Sequence, residues 1–205
     1  MDAPELGPVQ LDALREAANI GAGHAATALS QIAGRRIMVT VPEVSVLPLE
    51  QAGTMLGAAD EVVGAVIVRV LGDVTARTLQ LFPGTTAARL ASLARATAEP
   101  AFPAGFGEAE RSALEEIGYI LVGAYLGALG QLLGLELTMS APAVAIDMAA
   151  AVLTTSYLNF GSDDEQVICI DSDLLLEGGE DLNARFLLQP DGPSLETILR
   201  ALRVA

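Results

Sequence analysis

Apolar residues recur at helical spacing over two long stretches of the chain. In the first, Leu14, Ala17, Ala18, Gly21, Ala25, Ala28, Leu29 and Ile32 fall on one side of a helix, which predicts the face turned to the core. Asp12, Glu16 and Asn19 stand at i, i+4 and i+7. At about 100° per residue they lie near 0°, 40° and −20°, a narrow stripe predicted to face solvent. The second stretch repeats the arrangement. Leu114, Ile117, Gly118, Leu121, Tyr125, Ala128, Leu129 and Leu132 form its core face, and Ser112, Glu116 and Tyr119 its stripe.

Between and after these helices the period changes. Residues 61–71 and 73–82 read as strands joined by a Gly72-Asp73 turn, followed by a helix over 84–97. Residues 165–176 and 183–189 read as strands around a Gly178-Gly179 turn, with a helix at about 193–203. Segments 37–49 and 137–148 supply a further strand each, and Pro42 and Pro142 place these at an edge or a bulge. Each half thus runs helix, strand, strand pair, helix.

The two halves also match residue by residue. At an offset of 100, residues 12–44 and 112–144 align without a gap and are identical at 11 of 33 positions, among them Leu14/Leu114, Glu16/Glu116, Gly23/Gly123, Gly34/Gly134 and Pro42/Pro142. Such a duplication organises every other assignment. Neither half is long enough to cover both faces of its own strands. The predicted fold is therefore one α/β (α+β) domain over 1–205, built from repeats at about 8–98 and 108–205. One continuous, largely antiparallel sheet would carry both long helices on one face. Residues 99–107, EPAFPAGFG, read as the linker.

Composition narrows the picture. Hydrophobic residues make up 52%, with aromatics at 4% and no Trp, so the core is built from Ala, Leu, Val and Ile. The apolar run Ile117 to Leu135 is long enough to span a bilayer. Glycines interrupt it and Glu115, Glu116 and Glu136 bracket it without a basic anchor, which favours a buried helix. The acidic start MDAPELGPVQ lacks an apolar signal region, and a cytoplasmic location is expected. A net charge of −15 with no basic cluster argues against nucleic acid and anionic membranes as partners.

Single residues add little chemistry. Cys169 sits in the strand run Val167–Ile170 and reads as a small core residue. His24 reads as a helix-packing residue flanking the stripe. Gly21 and Gly23 are unfavourable in a helix by roughly 1 kcal/mol each, and close helix approach or a slight kink is the expected reason. No strand precedes them and no Lys follows, which excludes a phosphate-binding loop. No cluster of metal-ligand residues is apparent.

The doubled stripe, with a proline 26 residues after each Glu, resembles the signature of the CheC/CheX/FliY family of chemotaxis phosphatases. Asp12, Glu16, Asn19 and Pro42 match its Asp/Ser–Glu–Asn–Pro register in full. Ser112, Glu116 and Pro142 match in the second half, where Tyr119 replaces the Asn. The resemblance implies removal of the phosphoryl group from the aspartyl phosphate of CheY. In such a reaction Asn19 orients the attacking water and Glu16 docks the partner, and Asp12, Ser112 and Glu116 are further docking residues. Asp12 can also be read as a helix-start carboxylate.

The cofactor expectation is none intrinsic, since Mg²⁺ in that reaction is held by the phosphorylated partner. Tyr119, longer and rigid, implies a degenerate, silent second site. The resemblance also implies CheD as a second partner. Two alternatives stand beside the enzyme: a non-catalytic adaptor that binds phosphorylated CheY or CheD, and a scaffold unrelated to signalling.

Overall fold

The computed structural model describes residues 7–48, 51, 59–155, 166–177 and 180–202. Helix α1 (Pro8–Ala33) leads into short strands β1 (Ile37–Val39) and β2 (Glu43–Pro48), then the hairpin β3 (Val62–Gly72) and β4 (Ala76–Pro83), and α2 (Gly84–Arg95). The second half follows the same order: α3 (Glu108–Leu133), β5 (Leu137–Met139), β6 (Ala143–Met148), a short α4 (Ala149–Leu153), β7 (Gln166–Leu176), β8 (Glu180–Pro190) and α5 (Gly192–Ala201).

Both long helices stop for the same local reason. Gly34 at φ 60° and Gly134 at φ 65° take the left-handed conformation that ends a helix at low steric cost. At the other end, the Gln10 side chain accepts a 2.9 Å hydrogen bond from the Gly7 amide, and Glu110 accepts one of 2.9 Å from Gly107. These satisfy donors that a helix start leaves open.

The eight strands among the described residues form one antiparallel sheet in the order β1-β7-β8-β4-β3-β5, with β2 also pairing β7 and β6 also pairing β3. The expected strands 37–49 and 137–148 are each broken in two. The breaks fall at residues 40–42 and 140–142, where Pro42 and Pro142 have no amide hydrogen to give to the ladder. The edge strands do not join their own hairpins. Glu43 pairs with Asp171 and Val46 with Ile168, whereas Ala143 pairs with Ile67 and Val144 with Val66. Each half therefore completes its sheet with a strand from the other.

Alternation decides which side chains go where. Val66, Val68 and Val70 of β3 and Leu182, Ala184, Phe186 and Leu188 of β8 face the helices and form the main core with α1, α2 and α3. The intervening Val63, Ala65, Leu79, Leu81, Val167, Cys169 and Leu187 form a second apolar layer, closed in part by Ala149 and Val152 of α4. That short helix has no counterpart in the sequence reading. Residues 99–107 are also more than a linker. Phe106 is buried in the core, and its ring meets Phe102 edge to face at 5.2 Å.

Helix α3 is long and apolar enough to cross a membrane. Here its apolar face packs on the sheet and on α1. At Gly118 an added Cβ would stand 2.4 Å from Val66 Cγ2, so only glycine lets α3 come this close to β3. Tyr125 of α3 is buried beside Phe186, and its hydroxyl meets Ser172 Oγ at 3.1 Å. Burial pushes that phenol above its ordinary pKa, with the Ser172 hydrogen bond pulling the other way.

Candidate functional site

The outer face of α1 carries the predicted stripe as read. Leu14, Ala17, Ala18, Gly21, Ala22, Ala25 and Leu29 are buried, which fixes the rotation of the helix. Asp12, Glu16 and Asn19 are all exposed on the other side. Glu16 and Asn19 are three residues apart, about 4.5 Å along the axis. Neither makes a hydrogen bond or ion pair with another described residue, so the carboxylate and both functions of the carboxamide are open to a partner.

Asp12 has a different position from the one its sequence context suggests. The helix begins at Pro8, so Asp12 lies beyond the first turn and does not act as a helix-start carboxylate. Its side chain, 71% exposed, instead pairs with Arg15 at 3.1 Å across one turn. An exposed pair of this kind is worth only about 0.3–0.5 kcal/mol, and a partner can displace it.

The second stripe is not equivalent to the first. Ser112 and Glu116 are exposed on α3, but Tyr119 is half-buried and packs against the main core. The expectation that all three face solvent therefore fails at the third position. A phenol ring has enough apolar area to be drawn against the core, where a carboxamide would stay in water. One turn further along α3, Met139 of β5 has its Cε 3.1 Å from where a Cβ on Gly123 would be.

Two further expectations are corrected. His24 is exposed and not a packing residue. Its place at about 120° from Asp12 lies outside the buried arc of α1. The glycine pair Gly21/Gly23 also divides. Gly21 is buried against Tyr125, but Gly23 is exposed, and a Cβ there would meet nothing within 4 Å. Thr27, one turn on, donates its hydroxyl to the Gly23 carbonyl at 3.0 Å. The prolines of the motif serve the frame: Pro42 is buried and Pro142 half-buried, each at a break between edge strands.

Among the described residues no group of three or more His, Cys, Asp or Glu side chains is placed to hold a metal. Cys169 is buried in the second layer, where desolvation pushes its thiol up to about 11. It is remote in character from a nucleophile. A cleft lined by Arg69, Thr75, Arg77, Gln189 and Asp191 opens at the ends of β3, β4 and β8, and no stripe residue lines it.

Comparison with known proteins identifies relatives of this chain. The model of the CheC-like family matches residues 9–46, the segment that holds the full stripe and Pro42. The CheY-P phosphatase CheC of Bacillus subtilis (strain 168) is 33% identical over 197 residues, covering 94% of this chain and 93% of its own.

The chain belongs to the CheC-like family.

Solved structures agree on the fold. FliY of Thermotoga maritima superposes with a TM-score of 0.79 at 21% identity, over 98% of this chain and 99% of its own. The FliM middle domain of H. pylori gives 0.71 at 12% identity, over 96% and 99%. At these identities the likeness concerns architecture alone. Within this fold the two helix faces are unequal: carboxamide and acid are exposed on α1, and the phenol of Tyr119 is half-buried on α3.

Proposed function

We propose that this chain hydrolyses the aspartyl phosphate of phosphorylated CheY, using the α1 face. The observation that carries the reading is an exposed Asn19 carboxamide without a partner among the described residues, one turn from a Glu16 equally free among them. It sits in a chain related along nearly its whole length to a CheY-P phosphatase. Asn19 aims the water and Glu16 docks a cationic group of the partner. Asp12 adds to the same acidic edge, and Ser112 and Glu116 are contact residues of the other helix.

The chemistry asks for little more. Water attacks phosphorus in line, the bond to the aspartyl oxygen breaks, and the carboxylate leaves with inorganic phosphate as the second product. Such a transfer depends on positioning and charge stabilisation, with no covalent intermediate on the catalyst required. A neutral amide can both accept from and donate to a water without repelling the phosphoryl oxygens, which a carboxylate there would do. A long helix packed by seven buried positions on its inner side is a stiff mount for that task.

In this reading the α3 face is silent, because a half-buried Tyr119 offers no amide. The test is the decay of acid-labile phosphate on CheY with wild type and with Asn19→Ala. Faster decay with wild type that disappears in the variant supports the proposal. Equal decay ends it. Tight, phosphorylation-dependent binding without faster decay would point to an adaptor.

A further inference from the structure

Gly23 is an unexplained residue of α1. Glycine is the least favourable helix residue after proline, and selection for packing cannot account for it here. It is exposed, and a Cβ built on it would touch nothing within 4 Å. Gly21, two residues earlier, has the packing reason that Gly23 lacks.

Its angular position is informative. On the scale that puts Asp12 at 0°, residue 23 falls at about 20°, between Glu16 and Asn19 and one turn further along. Side chains on a helix lean toward its N-terminus and cover the turn before their own Cα. A side chain at 23 would thus lie over the turn that presents Asn19. Thr27 does not fill the space, since its hydroxyl is folded back onto the Gly23 carbonyl at 3.0 Å.

The matching place on α3 is not open. There a Cβ on Gly123 would meet Met139 Cε at 3.1 Å, while Val39 stands in the corresponding position of the first half. The bare surface beside the third stripe residue therefore occurs on the helix that carries Asn19.

Resting on the phosphatase reading, we infer that Gly23 is a clearance position. Its missing side chain lets the partner's phosphorylated loop close onto α1 until the Asn19 amide reaches the attacking water. Gly23 is a positioning residue, acting by what it leaves out.

The experiment uses the full chain with Gly23→Ala, Gly23→Gln, Gly123→Ala and Asn19→Ala, measuring phosphorylated-CheY decay over a range of substrate together with Tm. Gly23→Ala is expected to melt higher than wild type, and Gly23→Gln no lower, while kcat/KM falls in graded order, by about tenfold or more for Gln. Gly123→Ala is expected to stay within about twofold of wild type. Wild-type kcat/KM in Gly23→Gln overturns the inference while leaving the phosphatase reading intact. So does an equal loss in Gly123→Ala and Gly23→Ala, which would mark a general effect of helix stiffness. A wild type no faster than Asn19→Ala removes the phosphatase reading, and the inference with it.

Discussion

Gly21 of α1 lies directly against Tyr125 of α3: a Cβ on the glycine would stand 2.7 Å from the ring Cδ1 and 2.9 Å from the tyrosine Cα. One of those atoms is backbone, so a methyl group there can be accommodated only by moving a helix. Gly21→Ala is therefore expected to destabilise by about 1–3 kcal/mol despite the better helix propensity of Ala. The same change at Gly23 is expected to stabilise. Urea denaturation of the two variants side by side measures the contrast, and a shared sign would contradict the packing described.

Glu16 is exposed and bears no structural partner among the described residues. Glu16→Gln should leave stability within about 0.5 kcal/mol. If the acid docks a cationic partner, KM for phosphorylated CheY rises and its dependence on ionic strength flattens. Steady-state kinetics at two salt concentrations checks both.

Tyr119 packs partly against the core, so Tyr119→Asn removes apolar contact. A loss of about 1–3 kcal/mol is expected. The amide, freed from burial, would face solvent beside Glu116 and restore the stripe of α3. Dephosphorylation is expected to rise while Tm falls. A fall in both would mean that α3 cannot serve as a second site in this frame.

Cys169 is buried, with its thiol held well above the ordinary value, at about 11. It should resist a water-soluble thiol reagent at pH 8 in the folded chain and react at once in denaturant. The sign for stability follows. The folded state keeps its proton where the unfolded chain loses it, so this contribution is complete below the ordinary thiol pKa of about 9. It is lost as pH climbs through the folded value of about 11. Replacement by Ala or Ser should flatten the alkaline fall of stability in a pH series.

The helices and hairpins were readable because their signals are local. A 3.6-residue apolar period marked the core faces of α1 and α3, whose ends the structure places at Gly34 and Gly134. The exposure of Asp12, Glu16 and Asn19 followed from the same period. Features that depend on distant neighbours were harder. Strand β8 begins at Glu180, ahead of the expected 183, because Leu182 is buried against the helices while Asp181 and Asn183 point outward, a strand alternation disguised as a polar turn. The Gly178-Gly179 turn itself lies outside the described residues.

Which glycine meets a neighbour, whether Tyr119 folds inward, and that β2 pairs with β7 are likewise facts about other parts of the chain. Helix α4 is five residues long, and its Ala-rich stretch carries no period to detect.

The crossed pairing of the edge strands bears on how the molecule comes into being. Glu43 waits for Asp171, a partner made more than a hundred residues later on the ribosome. Until then the early hairpin has helices available but no neighbour along either border, since β4 pairs with β8 and β3 with β5 and β6. Ordering such distant segments carries a chain-entropy penalty before any ladder forms, so assembly should be slow relative to helical proteins of equal size. During that interval the emerging polypeptide displays a raw strand margin, the kind of surface on which two nascent copies could exchange parts.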